Sequence, residues 1–119
     1  MRYLKDKKII LYRKEIVKDS EGFSTAKYIP IHAGKLWAYV LQLSANEFFA
    51  ARVVQQTEEM LFVINWRGDV TQDCYIEYRG VFYNITRVDT FEGYKDDLKV
   101  YAALLATQPT PGDVMEWPG

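Results

Sequence analysis

The sequence predicts a mainly β fold: a small closed or nearly closed antiparallel β-barrel of about six to seven strands with one short α-helix. Three observations predict it. Apolar residues recur with a period of two in short runs spread along most of the chain. Turn-forming residues separate those runs at hairpin length, as in Asp19-Ser20-Glu21-Gly22 and Arg79-Gly80. Only one stretch, around residues 44–55, changes to helical spacing. A sheet of that many strands has to hide its edges, and closing on itself does so, with the helix plugging one end.

The elements follow in order. Lys8 to Lys14 (KIILYRK) is the first strand, with Ile9 and Leu11 on one side and Ile10 and Tyr12 on the other. Asp and Ser at 19–20 bond their own backbone and Gly22 permits a positive φ, so 19–22 turns the chain. Ala26 to His32 is the return strand, and Pro30 suits its end. The polar tip of this hairpin carries one apolar residue, Phe23, which either packs back on the barrel or is presented to a partner.

Gly34 turns into a strand from Lys35 to Leu43. Ser44 and Glu47 then form a capping box, in which the hydroxyl takes an orphan backbone N–H and the carboxylate reaches back to the cap. Ala45, Phe48, Phe49 and Val53 make one apolar helical face. From Thr57 the period returns to two, with Met60, Phe62, Ile64 and Trp66 on one face and Leu61 and Val63 on the other. Cys74 to Tyr78 and Val81 to Asp89 form a hairpin across Arg79-Gly80, its inner face made of Cys74, Ile76, Tyr78, Tyr83 and Ile85. After polar turn residues at 92–97, Leu98 to Leu105 is the last strand. The barrel domain is expected to span residues 1–106. Residues 107–119 hold three of the four prolines and read as an extended tail, in which Val114, Met115 and Trp117 are unusual.

A chain of 119 residues suits one domain. Nearly half of it is apolar and 15% is aromatic, enough for a core. The formal net charge of −1 argues against a dedicated nucleic-acid module of this size, which is usually clearly basic. Cys74 is the single cysteine, so no internal disulfide forms and a reducing compartment fits. The first eight residues lack the apolar region of a signal peptide, and no apolar run reaches the length of a membrane span.

The search for chemistry returns little. His32, the single histidine, sits between Pro30 and Gly34 and reads as a solvated or hydrogen-bonded residue rather than a base. Glu58 and Glu59 point to opposite faces of a strand, and Asp96-Asp97 reads as a solvated turn. There is no glycine-rich phosphate loop and no Cys or His cluster, so no catalytic residue, cofactor site or metal site is expected. Arg67-Gly68-Asp69 reads as turn chemistry at a strand end rather than an adhesion motif. Tyr12, Trp37, Tyr39, Tyr75, Tyr78, Tyr83 and Tyr101 are suited to stack on bases, but without a basic stripe they read better as core and interface.

Taken in order, several short pieces carry a family resemblance. They are Leu36-Trp37-Ala38, Leu43-Ser44-Ala45-Asn46-Glu47-Phe48-Phe49-Ala50-Ala51, Phe62-Val63-Ile64, Trp66-Arg67 and Asp69-Val70-Thr71. The run ends in Ile76-x-Tyr78-x-Gly80-x-x-Tyr83-x-Ile85. This order and spacing, from Lys35 to Val88, resembles the head–tail joining family of long-tailed bacteriophages, the small head-completion or stopper proteins of the connector. Family members usually carry Arg just before an aromatic near the end of the long strand; here that place is Asn65, and Arg67 lies two residues on.

The resemblance implies a structural virion protein, made in the bacterial host cytoplasm. It would be monomeric in solution and assemble as a ring, twelvefold in the family, below the portal and its adaptor ring. Such a ring closes the DNA-filled head and offers a surface to the tail-completion protein. It also implies a loop that approaches the packaged DNA in the channel. By position, Asp19, Ser20, Glu21, Gly22, Phe23 and Ser24 are the candidate channel loop or interface, with the link from Gly68 to Gln72 as second candidate. Acidic residues such as Asp19 and Glu21 facing a channel repel phosphates and avoid sticking. The alternatives from other classes are a small barrel binding single-stranded nucleic acid and a barrel holding a small ligand in its aromatic interior.

Overall fold

The computed structural model describes residues 3–43, 59–89 and 97–119. Seven strands follow one another: β1 (Lys7–Lys18), β2 (Ser24–Pro30), β3 (Leu36–Gln42), β4 (Met60–Asn65), β5 (Cys74–Tyr78), β6 (Val81–Asp89) and β7 (Asp97–Leu104). All their pairings are antiparallel. The sheet runs β1-β3-β4-β7-β6-β5, and β5 returns to β1, which closes a six-stranded barrel. β2 stands outside it, hydrogen-bonded to β1 alone among the strands. The predicted mainly β barrel is therefore observed. The helix predicted at 44–55, with its capping box, and the turn at 92–96 lie outside the described residues, whose one helical turn is a 3-10 turn at Pro111–Asp113.

Alternation builds the interior. Ile9, Leu11, Phe62, Ile64, Ile76, Leu98 and Val100 point inward and are at most 1% exposed. Each such side chain contributes about 1.5–3 kcal/mol of transfer free energy relative to an exposed one. Tyr78 and Tyr83 close on Phe62 edge-on, with ring centroids 5.9 and 5.7 Å away. Outside the wall, Tyr12, Tyr28 and Phe82 form a second, aromatic cluster with Tyr75, Ile10, Leu105 and Val114 around it. The outward Val63 is fully buried as well. Its neighbours across the sheet are Tyr39 and Lys99, and both meet the ring of Tyr3 from the N-terminal segment.

Two local devices set the register. Arg79 and Gly80 both have positive φ (53° and 79°), the pairing a two-residue turn of the primed type requires to match strand twist. Between Ile85 and Arg87 the β6–β7 register shifts by a bulge, and the Thr86 hydroxyl donates to the Tyr101 carbonyl, 3.1 Å away.

Candidate functional site

β1 is longer than its sequence signal suggested. It runs on to Lys18, beyond the barrel wall, and with β2 forms a projecting arm. Lys7–Ile9 pair with β3 and Ile10–Arg13 with β5, while from Tyr12 onward β2 takes the edge that β3 has left. Residues 13–18 are all exposed, among them Ile16 (59%) and Val17. A two-stranded ribbon standing alone in water is marginal. This one is secured at its base. His32, 6% exposed, accepts the Leu11 amide on Nε2 at 3.0 Å, and the Ile31 amide donates to the Leu11 carbonyl. Burial holds the imidazole pKa below its ordinary value, with Arg67 adding in the same direction and Ala33, Asp69 and Gly34 opposing. His32 is thus a hydrogen-bonded structural residue, a role the sequence reading offered.

The predicted candidates from Asp19 to Ser24 lie together at the far end of the arm. Asp19 organises them. Its Oδ1 accepts the amides of Glu21 and Phe23, both at 2.9 Å, and its own amide donates to the Phe23 carbonyl. Gly22 donates to the Asp19 carbonyl from a φ of +86°, which L side chains rarely adopt. Ser20 and Glu21 are exposed on the turn, and Ser24 starts β2 opposite Lys18. Phe23 is 66% exposed and does not pack back on the barrel. The tip is a preshaped loop, tied together by the Asp19 carboxylate, with the Phe23 ring and Glu21 exposed on it.

The second candidate, Gly68 to Gln72, differs. Val70 in its middle is buried. Thr71 Oγ1 accepts the Asp73 amide, and the Cys74 amide donates to the Thr71 carbonyl. Asp69 receives Arg67 at both oxygens, at 3.0 and 2.9 Å, and this pair holds the Asp69 carboxyl below its ordinary range. The link is stitched to the barrel rather than projected from it.

Two features escaped the sequence reading. The first is a cleft of about 320 Å³ between β3 and β4, walled by Lys35, Leu36, Trp37, Asn65, Trp66 and Arg67. Trp37 is 55% exposed and Trp66 37%. Lys8 lies over the Trp37 ring, 4.7 Å from its centre, and Gly68 leaves room for the Trp66 ring, where a Cβ would approach to 3.2 Å. The only available signal was a basic residue beside each Trp at a strand end. The second is the tail, which is a strap. The Gln108 side chain clamps Phe82 at both N–H and C=O and also reaches the Leu105 carbonyl, at 2.7, 2.9 and 2.7 Å. Val114 then bridges Tyr28 in parallel, Met115 donates to the Tyr28 carbonyl, and Lys27 pairs with Asp113 at 3.2 Å. The strap covers the outer aromatic cluster and the β2 edge. Beneath it, burial and then the nearby Glu77 carboxylate push the Tyr12 hydroxyl up to about 12.

Among the described residues no group of three His, Cys, Asp or Glu side chains is placed to hold a metal ion, and no helix is long and apolar enough to cross a membrane. The prominent features among the described residues are a projecting arm, an aromatic cleft and a strapped barrel.

No curated protein matches the chain. The solution structure of protein SF1141 from Shigella flexneri 2a superposes with a TM-score of 0.66 at 18% identity, covering 84% of this chain and 92% of that one. A chain of the virion of a native gene transfer agent particle superposes with a TM-score of 0.53 at 13% identity, covering 85% and 94%. Both likenesses are of fold. The sequence model of the phage head completion proteins matches residues 5–103, the whole barrel together with its arm, and the chain belongs to the phage head completion protein family.

Proposed function

We propose that this protein is a structural component of the head–tail connector. It assembles as a ring below the portal and adaptor, closes the DNA-filled head and offers the surface on which the tail docks. The family match over residues 5–103 carries this reading. The fold neighbour from a gene transfer agent virion supports it, since that protein is itself part of a particle. The surface agrees physically. The exposed apolar side chains Ile16, Val17, Phe23, Trp37 and Trp66 sit on projecting or concave features. Distinct, non-identical patches favour heterologous head-to-tail contacts, which close into rings. The single subunit remains monomeric in solution, and the ring takes its number of copies, twelve, from the portal vertex. Asp19 to Ser24 is the element that the ring presents to its channel or to a neighbouring subunit.

The test adds the purified chain to tailless, DNA-filled heads that bear portal and adaptor, and examines the portal vertex by electron microscopy. The expected result is a ring of density below the portal and retention of DNA through a nuclease challenge. Heads that acquire no such density sink the proposal. A tight complex with single-stranded DNA that weakens steeply with salt supports the nucleic-acid reading instead.

A further inference from the structure

We infer that the arm tip of one subunit docks into the Trp37–Trp66 cleft of the next copy. The inference rests on the ring reading and assigns the tip to an interface rather than to the channel lumen. Three observations carry it. First, the two features match in charge. The tip offers Asp19 and Glu21 around Phe23. Around the cleft stand Lys8, Lys35 and Arg67. Of the nearby carboxylates, Asp69 is engaged by Arg67, and Asp97, opposite Asn65 across the sheet, is engaged by Lys5 at 2.6 Å. Among the described residues, neither Lys8 nor Lys35 makes an ion pair. Two cations therefore remain to meet Glu21 and the Asp19 oxygen that the loop amides do not use.

Second, the two features match in shape and polarity. A cleft of about 320 Å³ is at the lower end of the usual range for sites that take a compact organic group. A single aromatic side chain with its flanking backbone is of that order, and half-exposed Trp residues beside a cation are typical anchors for such a ring. Third, the tip is already shaped. The four hydrogen bonds at Asp19 fix the loop before any partner arrives, so little ordering entropy is lost on docking. A loop built this rigidly around a 66% exposed Phe is a plug that meets no socket among the described residues of its own subunit. Each copy carries one plug and one socket at different places, so contacts propagate from copy to copy until the ring closes.

The experiment uses full-length chains on DNA-filled heads. Ser20→Cys and Asn65→Cys are introduced in separate copies, leaving the buried Cys74 untouched, and the rings are treated with a short bis-maleimide. The mixture is expected to yield a cross-linked dimer that neither variant forms alone, and a chain bearing both substitutions a ladder of oligomers. Glu21→Lys is expected to lower ring occupancy about tenfold, and Lys35→Glu in the same chain to restore it, as for an opposed charge pair at an interface. Rings that assemble normally, give no cross-link and ignore Glu21→Lys overturn the docking inference and leave the connector reading standing. Wild-type chains that form no ring at the vertex overturn both.

Discussion

The two halves of β1 share one strand and one alternating pattern but have opposite fates. From Lys7 to Tyr12 the strand is built into the wall, first against β3 and then against β5, and Ile9 and Leu11 vanish into the barrel. From Arg13 to Lys18 the strand is exposed throughout, and beyond Arg13 only β2 pairs with it. Val17 continues the face of Leu11, and Ile16 continues the face of Tyr12. The comparison shows that period two specifies a strand and its faces, while a second layer decides whether a face is buried. In the first half that layer is the opposite wall of the barrel on one side and the strap on the other. In the second half neither is present among the described residues, and Ile16 and Val17 stay exposed.

Substitutions test this contrast most sharply inside the barrel. Leu11→Ala is expected to cost about 2–5 kcal/mol, read as a lower urea midpoint with an unchanged slope. The strap comes next. Gln108→Ala removes three hydrogen bonds and leaves the Phe82 amide unsatisfied, for a loss of about 1–2 kcal/mol. A change within error at Gln108 breaks the claim that the tail acts as a second layer.

The third test concerns the base of the arm. The folded pKa of His32 lies below its ordinary value of 6.5, so the unfolded chain binds the extra proton between the two values. Stability is therefore complete above pH 6.5 and falls as pH drops from there toward the folded pKa, where the protonated ring can no longer accept from Leu11. His32→Gln should flatten that part of the curve, and an acid limb that survives the substitution assigns it to other groups. The smallest effect on the fold is expected at the tip. Ile16→Ala and Phe23→Ser should change stability by no more than about 0.5 kcal/mol. A loss above one kcal/mol at either site erases the distinction between the halves.

Much of the fold was legible because its signals are local. The β5–β6 hairpin follows from Arg79-Gly80 and the alternation around it, and its inner face of Cys74, Ile76 and Tyr78 packs on the core as expected. Asp19, Ser20 and Gly22 announce a turn by their chemistry, and the turn is there. Closing β1 onto β5 was foreseen only as a need to hide edges; the register of Tyr12 with Tyr75 is not written in either segment. The length of β1 was missed because Glu15 and Lys18 dilute its apolar signal. The cleft was missed because Trp37 and Trp66 come to line one space only once β3 and β4, far apart in sequence, have paired. The strap was legible only as unusual tail residues, Val114 and Met115 among them, because it is held by Gln108 and by main-chain bonds to Tyr28, neither of which leaves a periodic trace.

The closure of β1 against β5 also sets an order of events as the chain leaves the ribosome. β1 and β2 are neighbours in sequence, and hairpins of this kind form in about 1–10 μs. The other edge of β1 finds Tyr75 and Ile76 only after four strands have been made and a long loop has been closed, a slow step by contact order. The projecting hairpin therefore has the shorter search to make, but it is secured only when the body closes around its root.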